Sequence, residues 1–302
     1  MEKLTLLIFF LLISFSISYS QSNSQENGFL ILNVGNSASM TGKGEAASAT
    51  SSDATVLWYN PAAVQINQYS NFCFSHNSYI KEFDINIENA SLIIKKGNYS
   101  YGLGVVYLNY GKLDKTDEVG TIIGEYHPID IVIAGNYAMR ISPYFSFGTN
   151  LKIVYEKIDT ESSLGFGTDL GVIYDSFIKG LNLAFVLQNI GFSTKMDNER
   201  IEFPLTYKIG VHHELNLFEQ SELSVSCDLI KFEDEDVKLN LGLEYAFAEV
   251  IYTRLGYKIG YDVENFSGGL GIKLNNYRFD YSFTPFQSGL GNAHRFSISY
   301  DF

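Results

Sequence analysis

After its first twenty residues the chain has no long apolar run. No later stretch approaches the roughly 18 to 20 uninterrupted apolar residues that a transmembrane helix requires. Basic residues are scarce: 21 Lys and Arg stand against 34 Asp and Glu, for a net charge of −13 and a pI near 4.8. That balance excludes a nucleic-acid partner, because phosphate recognition needs basic patches. Tryptophan occurs once and proline 5 times. Cysteine occurs twice, and strand phase separates the two thiols. Cys73 alternates with Asn71 and Ser75, whereas Phe72 and Phe74 take the other side; Cys227 alternates with Val225 and Leu229 on an apolar side. Thiols on opposite faces of a wall do not meet, so no disulfide is expected.

Sites for chemistry are missing too. The histidines, His76, His127, His212, His213 and His294, have no zinc-ligand spacing. His212 and His213 are strand neighbours that point to opposite faces. The acidic stretches 114–118 and 233–236 lack the spacing of a calcium loop and read as solvated surface charge. No serine or aspartate nucleophile with a histidine partner stands out. No catalytic, cofactor-binding or metal residue is assigned, and the chain is expected to be non-enzymatic with no cofactor.

What the sequence has instead is rings and alternation. Aromatic residues make up 15% of it, with 23 Phe and 21 Tyr, and there are 26 Gly, at a mean hydropathy of +0.00. Membrane barrels use aromatics in their interface girdles and glycine where strands crowd. The closing run places Phe296, Ile298, Tyr300 and Phe302 on one face, with polar residues between them, a period of two. One greasy face and one wet face suit the last strand of an outer-membrane β-barrel, with lipid outside and lumen inside. At the other end, Lys3, the apolar run from Leu4 to Ile17 and the small residues Ser18 and Ser20, at the −3 and −1 positions before Gln21, read as a signal peptide. Residues 1–20 are therefore expected to be an export signal and the location to be the bacterial outer membrane.

Period-two runs continue from about residue 69. Tyr101, Leu103, Val105 and Tyr107 alternate with Gly102, Gly104 and Val106; Leu239, Leu241, Leu243 and Tyr245 alternate with Asn240, Gly242 and Glu244. The runs predict an all-β fold, an antiparallel transmembrane barrel of about 14 strands over residues 69–302. A soluble sandwich alternates as well, but it does not gather aromatics on one face and ionised residues on the other. Connections after even-numbered strands are short, such as Gly97-Asn98 and Asn275-Asn276. Those after odd-numbered strands are longer on the whole, notably 110–126, 190–203 and 285–291. This asymmetry is expected of periplasmic turns and extracellular loops. Asp169, Lys208, Glu244, Arg254, Lys258, Arg278, Asp280 and Arg295 fall on polar strand faces and are expected to form a lumen network, since charge facing lipid costs about 2–4 kcal/mol at mid-bilayer.

Residues 21–68 break the pattern, with small residues through Met40, Gly42 and Gly44, then Asp53-Ala54-Thr55-Val56-Leu57-Trp58-Tyr59-Asn60-Pro61. Asp53 can cap a short helix from Ala54 to Tyr59. Asn60-Pro61 can open a second turn. A barrel this wide is not filled by its own side chains, so the segment is expected to be an N-terminal plug; the other reading is an export linker without fixed structure.

These blocks resemble a known family. Ser39-Met40-Thr41-Gly42-Lys43-Gly44 and Asp53 through Ala62 resemble the N-terminal signature of the PorV/PorQ family. Asp280 through Phe286, followed by Leu290-Gly291-Asn292-Ala293-His294-Arg295, resembles its closing hairpin. Departures are Thr41 where glycine is usual, the order Trp58-Tyr59, and Ala63. The resemblance implies a FadL-like 14-stranded barrel with a plug, and makes the terminal aromatics Tyr300 and Phe302 the expected handle for the barrel-assembly machinery. Two functions follow from it. One is an export-associated or partner-binding barrel of the type IX secretion kind, with a secreted cargo protein as partner. The other is a FadL-like channel for hydrophobic solutes. An interrupted wall and an apolar pocket beside the plug would favour the second.

Overall fold

A computed structural model describes residues 28–196, 199–218, 220–233, 235–287 and 289–302; the expected signal peptide lies outside the described residues. Fourteen strands form one closed antiparallel barrel. They are β1 (Asn71–Ile80), β2 (Ile85–Lys96), β3 (Tyr99–Asn109), β4 (Ile129–Arg140), β5 (Phe145–Ile158), β6 (Glu161–Asp175), β7 (Leu181–Ser193), β8 (Thr206–Phe218), β9 (Ser221–Phe232), β10 (Lys238–Phe247), β11 (Ile251–Ile259), β12 (Phe266–Leu274), β13 (Tyr277–Pro285) and β14 (Asn292–Asp301). Each strand pairs with its chain neighbours, and β1 closes the ring on β14 with Phe72 opposite Tyr300 and Ser78 opposite His294.

The alternation sorts side chains between two solvents. On β11, Leu255, Tyr257 and Ile259 face outward and are exposed, whereas Arg254 and Lys258 face inward and are buried. The outward face carries apolar residues around the ring, including Phe74, Leu103, Ile133, Leu151, Phe185, Ile209, Leu243 and Phe279. In water such a continuous band would be untenable for a monomer; in a bilayer it is the lipid contact. A closed ring also leaves no sheet edge unpaired in hydrocarbon. The chain is thus a transmembrane β-barrel of the outer-membrane kind. Ring pairs such as Tyr99–Tyr137, Phe145–Tyr174 and Tyr277–Tyr300 form a girdle at the rim of short turns, where β1 begins and β14 ends. That rim is the periplasmic one.

Strand phase places the cysteines as expected: Cys73 is buried inside, Cys227 stands among outward residues, and both are free. Two stretches expected to be plain loops carry structure. Leu113–Thr116 pairs with Ile122–Tyr126 beyond the outer rim. The β7 strand runs on to Ser193, and Lys195–Met196 pairs with Glu199–Arg200. The register of β6 on β7 shifts between Thr168 and Leu170, where Asn189 takes a φ of 64°. Regular pairing of β7 with β8 stops at Gln188–Thr206, although β7 continues alongside β6.

Residues 28–70 fill the lumen. They form a four-residue helix, Ala38–Thr41, and three 3-10 turns, Leu30–Asn33, Ala54–Trp58 and Ala63–Gln65. Ser37 caps the helix, and the Asp53 side chain accepts from Thr55 N at 2.9 Å to cap the second turn, the acceptor role expected of it. Small residues dominate because the inner wall comes close. Gly44 has a φ of 68°, and a Cβ on the facing Gly256 would lie 2.0 Å from its nitrogen.

Candidate functional site

One side of the lumen grips this segment with charge. Arg278 on β13 reaches Asp53 at 3.0 Å and Asp280 at 2.9 Å. Asp280 also takes Arg254 at 2.6 Å, and Arg254 in turn pairs with Glu244. Lys258 bridges Glu45 at 3.0 Å and Glu264 at 2.9 Å. On β9, Asp228 accepts from Ala47 N, Ser48 N and Ser48 Oγ at 3.0, 2.9 and 2.7 Å. These carboxylates and cations lie on four strands, in the plug and in the loop after β11, and only barrel closure brings them together. Pairing is what makes such burial tolerable; an unpaired buried charge costs about 3–5 kcal/mol.

Wall amides satisfy the carbonyls that a non-regular segment leaves open. Asn150 Nδ2 donates to Leu57 O at 2.8 Å, Gln188 Nε2 to Trp58 O at 2.8 Å and Asn136 Nδ2 to Pro61 O at 3.2 Å. Within the segment, Asn60 Oδ1 accepts from Ala62 N at 2.9 Å and Asn60 Nδ2 donates to Ser48 O at 2.6 Å. Pro61 packs on Gly148, where a Cβ would lie 2.3 Å from its carbonyl. Met40 is fully buried. Gly42 lies against Gly269, with 3.1 Å from a Cβ at Gly42 to the Gly269 Cα. Thr41, a departure from the family pattern, joins its hydroxyl to Ser282 Oγ at 2.8 Å.

Trp58 is only half-buried. One edge meets β3 where Gly104 has no side chain, and its Nε1 donates to Ser91 Oγ at 3.0 Å. Its other side lines open space. The Tyr59 ring beside it is buried and lies 6.0 Å from Lys208 Nζ.

That open space is a vestibule of about 760 Å³ leading from the outer rim down to Trp58 and Tyr59. Its two sides differ. Ile85, Val106, Leu108 and Val132, on β2, β3 and β4, line it on one side, and Ile87 and Val154 pack with Val106, Leu108, Val132, Phe29 and Ile31 in the apolar cluster behind. Lys238 and Lys258 on β10 and β11 face that arc from across the ring, and Lys208 lines the space from β8. At the mouth, burial pushes the Tyr110 hydroxyl above its ordinary range, reinforced by the Asp130 carboxylate, to which it donates at 2.8 Å. Burial also raises the Tyr261 hydroxyl. Both rings therefore remain neutral donors.

The closing-hairpin residues lie apart from this space, at the outer rim. Gly291 has a φ of 78° and sits under the Glu82 carboxylate, and Leu290 N donates to Gln287 O at 3.4 Å. Asn292 opens β14 opposite Pro285. His294 faces outward and shares a hydrogen bond of 2.8 Å with Tyr281 Oη. Arg295 faces inward and donates to Thr284 Oγ1 at 2.9 Å. Tyr300 packs in a tilted contact with Tyr277 and stacks on Phe302 at the periplasmic rim, and Phe302 N donates to Ser70 O at 2.9 Å. The apolar arc was not assigned from the sequence, though a signal existed. Val106 and Leu108 occupy the inward phase of β3, where polar residues were expected.

Solved structures share this architecture. A monoaromatic hydrocarbon channel, CymD, superposes with a TM-score of 0.62 at 14% identity, covering 89% of this chain and 98% of that one. The P. putida toluene transporter TodX gives 0.61 at 10% identity, covering 87% and 97%. A Pseudomonas aeruginosa FadL homologue gives 0.56 at 11%, covering 89% and 99%. Identities this low speak to the fold: a FadL-like outer-membrane barrel. No protein-family model and no curated protein matches the chain.

Proposed function

We propose that the protein is a non-enzymatic outer-membrane channel that admits hydrophobic solutes from outside. The observation that carries this reading is the vestibule, open at the outer rim, walled on one side by Ile85, Val106, Leu108 and Val132 and floored by the plug. A solute entering there trades water for apolar surface, worth about 25 cal/mol per Å² buried. The incomplete β7–β8 pairing supports it as well. Beside that stretch, Phe203 lies against Gly165, Gly167 and Gly191, with 2.7 to 2.9 Å from their missing Cβ positions. Moving one ring would thin the wall there. Of the similar structures named above, one is described as a monoaromatic hydrocarbon channel and one as a toluene transporter, and none as a secretion component.

The test is uptake of labelled toluene by cells with an intact outer membrane, with and without the protein. Faster uptake with the protein, abolished when a disulfide ties the plug to the wall, supports the channel. Uptake that is identical in both strains, together with loss of secreted proteins from the medium when the gene is removed, would return the export-associated reading.

A further inference from the structure

Given the channel reading, on which this inference rests, the vestibule's two sides say more about its solute. Val106, Leu108 and Val132 stand on β3 and β4. In a ring of fourteen strands the opposite positions are β10 and β11, which carry Lys238 and Lys258. Lys208 stands on β8, four strands round from Val132, and Lys152, Asp169 and Gln188 line the wall between them; Ile230 and Phe232 follow on β9. The polar wall along β5 to β8 therefore lies beside the apolar arc, not beneath it. Of the cations, Lys258 is held by Glu45 and Glu264, and Lys238 by Glu235. Lys208 is different: among the described residues its ammonium has the Tyr59 ring at 6.0 Å and no ion pair. The carboxylates facing it are Asp228, Glu45 and Asp169. Glu45 is engaged with Lys258 and Asp169 with Lys152 at 2.6 Å, while Asp228 gives its Oδ2 to the plug backbone and forms no ion pair with Lys208. A cation lining an open space with no partner of its own is poised for an anionic group brought in from outside.

We infer that the solute is a facially amphiphilic organic acid, apolar on the face against Val106, Leu108 and Val132 and bearing its carboxylate and hydroxyls on the face toward Lys208. An acid polar only at one end would leave one long wall of the space mismatched along its length. A neutral hydrocarbon would leave Lys208 desolvated and unpaired, which is costly.

Trp58 is the only tryptophan in the sequence and lines the space, so its fluorescence reports occupancy. The protein in lipid nanodiscs is titrated with cholate below its micellar concentration, with decanoate and with toluene. Cholate is expected to bind about tenfold more tightly than either, because it meets both walls and supplies a charge-assisted contact. Lys208→Met and Val132→Thr, both near-isosteric, should each remove most of that advantage, with toluene unaffected by Lys208→Met. Decanoate matching cholate, toluene matching cholate, or cholate binding unchanged in Lys208→Met would overturn the inference and leave the channel reading standing. If none of the three perturbs Trp58, the channel reading falls with it.

Discussion

The lumen's two halves do different work with the same strand geometry. On the β8–β14 side, inward positions hold Asp228, Glu244, Arg254, Lys258, Arg278 and Asp280, and the plug answers with Asp53, Glu45 and its own backbone. On the β2–β5 side the plug is held lower down by neutral groups, Ser91, Asn136 and Asn150, and toward the outer rim the inward positions include Ile87, Val106, Leu108, Val132 and Val154. Charge specifies position, because an ion pair is worth its burial only in one geometry. Apolar surface is indifferent to register and accepts many shapes. The charged half is therefore suited to hold the plug still and the apolar half to receive something that varies.

Breaking both halves at once should have the largest effect. Deleting residues 28–64 is expected to leave an assembled barrel with an open lumen, seen in planar bilayers as a stepwise conductance that the intact chain lacks. Unchanged conductance would mean that another part of the chain seals the lumen. Next comes the charged half alone. Asp280→Leu removes the carboxylate between Arg254 and Arg278 and should cost about 3–5 kcal/mol. The readout is the temperature at which the folded band is lost on a gel, and a wild-type value would show that the clasp contributes nothing net.

Gly256→Ala tests close approach rather than charge. A methyl group 2.0 Å from Gly44 N must push the plug inward, at about 1–3 kcal/mol by the usual cost of overpacking, with protease access to the plug rising in step. On the apolar side, Trp58→Phe keeps a ring but loses the hydrogen bond to Ser91; about 0.5–1.5 kcal/mol is expected, a smaller shift than Asp280→Leu. Smallest of all is a contact outside either half. The Lys115–Asp159 pair at the outer rim is largely exposed, so Lys115→Ala should change stability by under about 1 kcal/mol, less in high salt. A larger loss would mean that the outer hairpin supports the barrel.

Much of this was legible along the chain. Tyr101, Leu103 and Val105 against Gly102 and Gly104 mark an outer and an inner face whatever the neighbours are. The parity of short and long connections checks the count of fourteen, because one missed strand would exchange the rims. Asp53 and Asn60 were legible as caps, since capping is decided within a few residues. Trp58 was harder. Its burial depends on Gly104 and Ser91, more than thirty residues away, and on how much of the lumen the plug leaves empty. The vestibule was not legible. Val106 in the inward phase of β3 looks like an isolated exception until Ile87, Leu108, Val132 and Val154 are set beside it.

By itself the sequence determined which side chains meet lipid and which meet the lumen, how many strands cross, and that a segment of small residues precedes them. Each of these depends on local period, on composition or on connection length, and each is written in neighbouring residues. Only the tertiary structure decided where around the ring each inward residue stands. Closing fourteen strands places Asp53 against Arg278, 225 positions away, and sets Val106, Leu108 and Val132 across the ring from Lys238 and Lys258. A period of two separates inside from outside, but it carries no information about position around the circumference, and it is that position which makes one half of the lumen a clasp and the other a vestibule.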